Sequence, residues 1–132
     1  MDRRQIGVTL TELLIAMAVV ALLATIAYPS YQGAMAKQRR ASAKELMMRV
    51  AQLEARYYTE NNGYTGSLTK LGMASDPMPS ESGGHAISIS ASDSDSYTIQ
   101  AAPLVADRAC GNLTLTSANV RGASGTHPVE CW

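Results

Sequence analysis

The chain lacks a surplus of charge of either sign: eleven Lys/Arg stand against eleven Asp/Glu in 132 residues. That balance removes the overall basicity on which bulk nucleic-acid binding depends. Histidine and cysteine are scarce, two of each: His85, His127, Cys110 and Cys131. Neither histidine has a Cys, Ser or acid at a recognised catalytic spacing, so no nucleophile–base pair is written in the sequence, and both are expected on the surface. Two cysteines with 20 residues between them and no His/Cys cluster make no zinc site. Asp93 and Asp95 are too few carboxylates for calcium and read as a turn. Gly-rich phosphate loops and internal repeats are absent. Asn112-Leu113-Thr114 is a single sequon inside a predicted strand. The expectation is a non-enzymatic chain with no cofactor and no metal.

The charge that is present is unevenly spread. Residues 1–70 hold nine basic and five acidic residues, a surplus of +4, and residues 71–132 hold two basic and six acidic, a deficit of −4. The length suits one small domain. An even cysteine count behind an export-type N-terminus suggests one disulfide in an oxidising compartment, with two free thiols as the alternative.

Two arginines, Arg3 and Arg4, precede a span from Val8 to Ala27 that is apolar apart from Thr9, Thr11, Glu12 and Thr25. About 20 helical residues cross the hydrocarbon core of a bilayer. A secretory signal cleaved near Ala27 and an uncleaved signal anchor both fit the length. Neither accounts for Glu12, since a charge inside a membrane helix costs roughly 2.5–3.5 kcal/mol on the lenient insertion scale. Cleavage after Gly7 would account for it. Val8 would then carry a cationic amine, and in a staggered assembly the amine of one subunit meets Glu12 of its neighbour. Such a pair offsets two buried charges and fixes register. Ala18, Ala21, Ala24 and Ala27 form a small-residue ridge suited to close helix packing. Pro29 should kink or loosen the helix. Counting Arg3 and Arg4 against Lys37, Arg39 and Arg40 does not support a cytoplasmic N-terminus by the positive-inside rule.

Gly7-Val8-Thr9-Leu10-Thr11-Glu12-Leu13, the apolar run to Ala27, and Tyr28-Pro29-Ser30-Tyr31 resemble the N-terminal signature of type IV pilins and pseudopilins. The resemblance implies cleavage by a prepilin peptidase between Gly7 and Val8, N-methylation of Val8 by the same peptidase/N-methyltransferase, and an assembly role for Glu12. It also implies that Pro29 marks the part of the stem that can extend in a filament. Val8 stands where Phe is usual and Thr11 where an aliphatic residue is usual.

Beyond the span, Ala43, Leu46, Met47, Val50, Leu53 and Tyr57 recur at three- and four-residue steps, which predicts an amphipathic helix over residues 31–60. Lys37, Arg40, Lys44, Arg49 and Arg56 read as its solvated face, or as a stripe for DNA or phospholipid, and Glu45–Arg49 as an i, i+4 pair. Helix from Val8 to Thr59 would be roughly 75 Å long. Gly63 is the expected cap. A Gly/Ser/Pro-rich loop follows. Alternation then predicts strands over His85–Ala91, Ser96–Ala102 and Asn112–Thr116, forming an antiparallel sheet on the helix.

Tyr57-Tyr58, Asn62-Gly63-Tyr64-Thr65 and Leu68–Met73 resemble the stem-to-head junction of PilE-type pilins, and Cys110–Leu115 with Cys131-Trp132 resembles their C-terminal end. That resemblance implies a Cys110–Cys131 bridge closing the C-terminal loop. The expected architecture is therefore α+β, the type IV pilin fold: a long N-terminal α-helix, half transmembrane, packed on a small antiparallel sheet. Its parts are a leader over 1–7, a transmembrane and assembly helix over 8–29, a stem helix over 30–60, a connecting loop over 61–84 and a disulfide-closed head over 85–132.

By this resemblance the chain is a subunit, and from its compact head a minor one, of a type IV pilus that serves adhesion and twitching motility. Its partners would be other pilin subunits, the peptidase, the inner-membrane assembly machinery and, before assembly, membrane lipid. It would sit in a bacterial inner membrane with the head in the periplasm, then in the extracellular pilus. The alternatives are a type II secretion pseudopilin and a competence-type pilin whose head binds DNA or a surface.

Overall fold

A computed structural model describes residues 7–132; the leader residues before Gly7, Arg3 and Arg4 among them, lie outside the described residues. The chain falls into two units, Met1–Met35 and Ala36–Trp132. One helix, α1 (Leu10–Asn61), runs through the boundary.

Helix α1 starts where a capping box can form. Thr9 precedes its first residue, and Glu12 lies three positions on. In the first unit every described residue as far as Ala34 is exposed. Pro29 lies inside the helix and has no N–H to offer the preceding turn.

In the second unit α1 buries Ala43, Met47, Val50 and Glu54, steps of four, three and four that keep one face inward. The helix ends at Asn61 and is capped by Asn62, not by Gly63 as expected. Asn62 takes the left-handed conformation (φ 54°), and its N–H donates to the Tyr58 carbonyl at 2.8 Å. Asparagine tolerates that region better than other non-glycine residues, so the glycine one position later is not needed for the cap.

The sheet has five antiparallel strands in chain order: β1 (Met78–Pro79), β2 (His85–Ser92), β3 (Tyr97–Pro103), β4 (Leu113–Thr116) and β5 (Arg121–Ala123). Register aligns Ile87, Ala101 and Leu113 across β2, β3 and β4, with Ile99 beside Leu115. These side chains form one buried cluster with Ala43, Met47, Val50 and Leu68. The Ser92–Asp95 linker turns as expected: Asp93 Oδ1 accepts from the N–H groups of Asp95 and Ser96, and these bonds hold its carboxyl below the ordinary carboxylate range.

Candidate functional site

At the start of α1 the Glu12 carboxylate is held by its own neighbour. Thr9 donates to Glu12 Oε2 from its N–H at 2.9 Å and from its hydroxyl at 2.8 Å. The Glu12 N–H returns a bond to Thr9 Oγ1 at 3.3 Å. Among the described residues Glu12 Oε1 takes no donor within hydrogen-bond reach, so there one carboxylate oxygen is left for a further cation or donor. Gly7 and Val8 precede this box in exposed, non-helical backbone, and a Cβ at Gly7 would touch none of the described residues within 4 Å. Chemically, the arrangement is an anion at the head of an apolar, uncovered helix, with the macrodipole in its favour.

A second constellation closes the C-terminal end of the sheet. Cys110 and Cys131 form a disulfide with Cα atoms 5.6 Å apart. Alongside it, Gly125 N–H donates to Cys110 O at 2.9 Å and Thr126 N–H to Arg108 O at 3.1 Å. A Cβ at Gly125 would collide with the Ala109 carbonyl, so only glycine lets the two segments meet this closely. Trp132 Nε1–H donates to Gly122 O at 2.8 Å, and the Arg121 guanidinium lies 5.5 Å from the Trp132 ring centre. Arg40 reaches the same end from α1, pairing with Asp107 through two bonds of 2.6 and 2.8 Å. That guanidinium holds the Asp107 carboxyl below its ordinary range, and Asp107 Oδ1 also accepts the Cys110 N–H.

Residues 29–114 match the family described as type IV minor pilin ComP, DNA uptake sequence receptor, and residues 2–28 match the prokaryotic N-terminal methylation motif. The chain belongs to the ComP family of type IV minor pilins. The non-core minor pilin PilV of Neisseria meningitidis is similar in fold, with a TM-score of 0.50 and 25% identity over 67% of this chain and 89% of that one. A comparison with curated proteins finds none that matches. This minor pilin is thus a pilus subunit with a long N-terminal helix, an antiparallel head and a C-terminal disulfide. The methylation motif brings with it processing by a peptidase, membrane anchoring and assembly into a pilus.

Several residues of the minor pilin lie where the sequence pattern does not place them. His85 is not a surface residue: it is 1% exposed, and neither ring nitrogen has a partner among the described residues. Alternation put an inward-facing position at the first residue of β2, and the sequence offered no apolar residue there to reveal it. Burial pushes its pKa down; Asp107 opposes that shift, and Arg40 and Arg39 add to it. Glu54, unremarked in the helix pattern, is wholly buried, accepts the Thr65 N–H at 3.1 Å through Oε2 and leaves Oε1 unpartnered. Arg40, expected on a solvated face, is instead half-buried in its ion pair. Glu45 and Arg49 form no ion pair; Arg56 and Glu60 do, at 3.2 Å. Among the described residues no group of three or more His, Cys, Asp or Glu could hold a metal.

Proposed function

We propose that this minor pilin is cut between Gly7 and Val8, methylated at Val8, and built into a type IV pilus through a charge pair between Glu12 and the Val8 amine of a neighbouring subunit. The observation that carries this reading is a carboxylate at the head of a helix exposed along its apolar length, with one oxygen that takes no donor among the described residues. Before assembly, lipid covers that length and Thr9 satisfies half of the carboxylate. In the filament, neighbouring stems take the place of lipid, and the amine takes the place of the missing donor. The subunit begins as a single-pass protein of the bacterial inner membrane with its head in the periplasm, handled there by the pilus assembly machinery. It ends in the extracellular fibre, where adhesion and twitching motility depend on it. Pro29 lets the stem lengthen on that passage.

The deciding variant is Glu12→Ala. Membrane levels should match those of the wild type, since removing a charge eases insertion. The amount in sheared pili should fall at least about tenfold, the loss expected when a buried amine is left unpaired. Equal amounts in the pili of both would sink the mechanism.

A second reading, that the head binds DNA, is supported by the family described as a DNA uptake sequence receptor. Residues 30–132 hold nine basic and nine acidic residues, so affinity must come from a few contacts and not from bulk charge. Arg121 against Trp132 offers a cation beside a stacking surface, with exposed Arg108 in the same disulfide-closed region. A salt series of duplex-DNA binding by the full chain in detergent tests it. Arg121→Gln should weaken binding and lower the salt slope by about 1. Salt-insensitive binding, or none, removes this reading.

A further inference from the structure

A trough runs along the second unit between α1 and the sheet edge. One wall is helical: Ser42, Glu45, Leu46 and Arg49, at i, i+3, i+4 and i+7. The opposite side is Met78 and Pro79 of β1, with Glu81 just beyond. This hollow measures 330 Å³ and leads into a second of 460 Å³ that shares Ser42, Glu45 and Glu81 and ends at Gln38 and Ser82. The helical wall from Gln38 to Arg49 is about 16 Å long at 1.5 Å per residue.

The edge of the sheet here does not invite an added strand. β1 has only two residues, and one is Pro79, which has no N–H to offer a ladder. Whatever enters must enter by its side chains. The surfaces of Leu46, Met78 and Pro79 suit an aliphatic stem. Glu45 and Glu81 face both hollows, and among the described residues neither has a cation within 4 Å. Arg49, which could have neutralised Glu45, does not pair with it. A Lys or Arg side chain satisfies both demands at once, laying its methylenes on the apolar surface and its charge between the carboxylates.

We infer that this trough seats a basic side chain of a neighbouring pilin subunit in the pilus, which fixes how the minor pilin's head meets the next one. The inference rests on the filament reading above. Neighbours of that class have such side chains to give: this chain itself exposes Lys37, Lys70, Arg108 and Arg121, none of them ion-paired among the described residues. The wall of the trough is also the continuation of the helix whose upstream stretch is the assembly surface.

The test places a photo-crosslinking amino acid at Ser82 in the full-length protein, in piliated cells. Sheared pili should yield an adduct whose second member is identified by mass spectrometry as a pilin subunit. The double change Glu45→Lys/Glu81→Lys should cut the adduct by at least about tenfold, because like charges facing each other cost several kcal/mol. Glu45→Gln/Glu81→Gln, which keeps size and shape, should cut it by a smaller factor, and melting temperatures matching the wild type would exclude misfolding. Adduct yields unchanged by charge reversal, an adduct with a non-pilin protein, or no adduct although the protein is present in the pili would each overturn the inference. Absence of the unaltered protein from sheared pili would overturn the filament reading and this inference with it.

Discussion

Glu54 and His85 are both buried without full hydrogen bonding, and burial moves them in opposite directions. Glu54 is pushed above its ordinary value near 4.5 because the charged form loses water; the Thr65 N–H offsets only part of this. A raised carboxyl binds its proton more tightly in the folded state, so its stabilisation is full below pH 4.5 and is lost as pH rises through the raised value. His85 is pushed below its ordinary 6.5, so stability is lost as pH falls from 6.5 toward its lowered value. Glu54→Gln should therefore stabilise the head at pH 7.5 by about 1 kcal/mol, a rise in melting temperature of roughly 4–8 °C for a unit of this size. The gain should vanish at pH 4, where both side chains are neutral; melts at the two pH values check it. The amide keeps an oxygen for Thr65 N–H, so packing alone predicts no such pH dependence.

The elements differ in how much of them could be read in advance. β2, β3 and β4 announce themselves because Ile87/Ile89, Tyr97/Ile99/Ala101 and Leu113/Leu115 alternate with small polar residues, and their bounds fell within one residue of expectation. β1 and β5 do not, since two residues ending in proline and three centred on Gly122 carry no period. They exist because neighbours pair with them. The Arg40–Asp107 pair spans 67 positions, and no local pattern connects its ends. The N-terminal methylation motif was legible because it is compressed into one short stretch around Gly7, Val8 and Glu12. The Thr9 contribution lay in the same stretch, in the Thr-x-x-Glu spacing of a capping box. The Arg40 bridge ties α1 to the loop before Cys110, so it should matter to the whole C-terminal region. Arg40→Ala, which leaves Asp107 half-buried without its cation, should cost about 2–3 kcal/mol in denaturant melts and speed proteolysis near residue 107.

At the scale of the whole molecule, the two units ask for different solvents. Residues 7–34 expose Leu, Ile, Val and Met side chains throughout, whereas the second unit buries its own core and carries a balanced charge. An uncovered apolar surface of this length favours lipid or neighbouring stems over water, in line with the membrane anchoring and pilus assembly that the methylation motif implies. Intact mass from membranes, with and without the prepilin peptidase, should show a chain starting at methylated Val8 only when the enzyme is present. A start at Met1 in both would mean a plain anchor, and the account of Glu12 would fail.

The chain has one tryptophan, Trp132, and its indole is tied to Gly122 and overlaid by Arg121. Its fluorescence is consequently an unlabelled optical probe of a single place, the seam between β5 and the chain end. Emission that reddens on reduction while the far-ultraviolet helix signal holds steady would separate opening of that seam from melting of the stem, in one cuvette and without a dye.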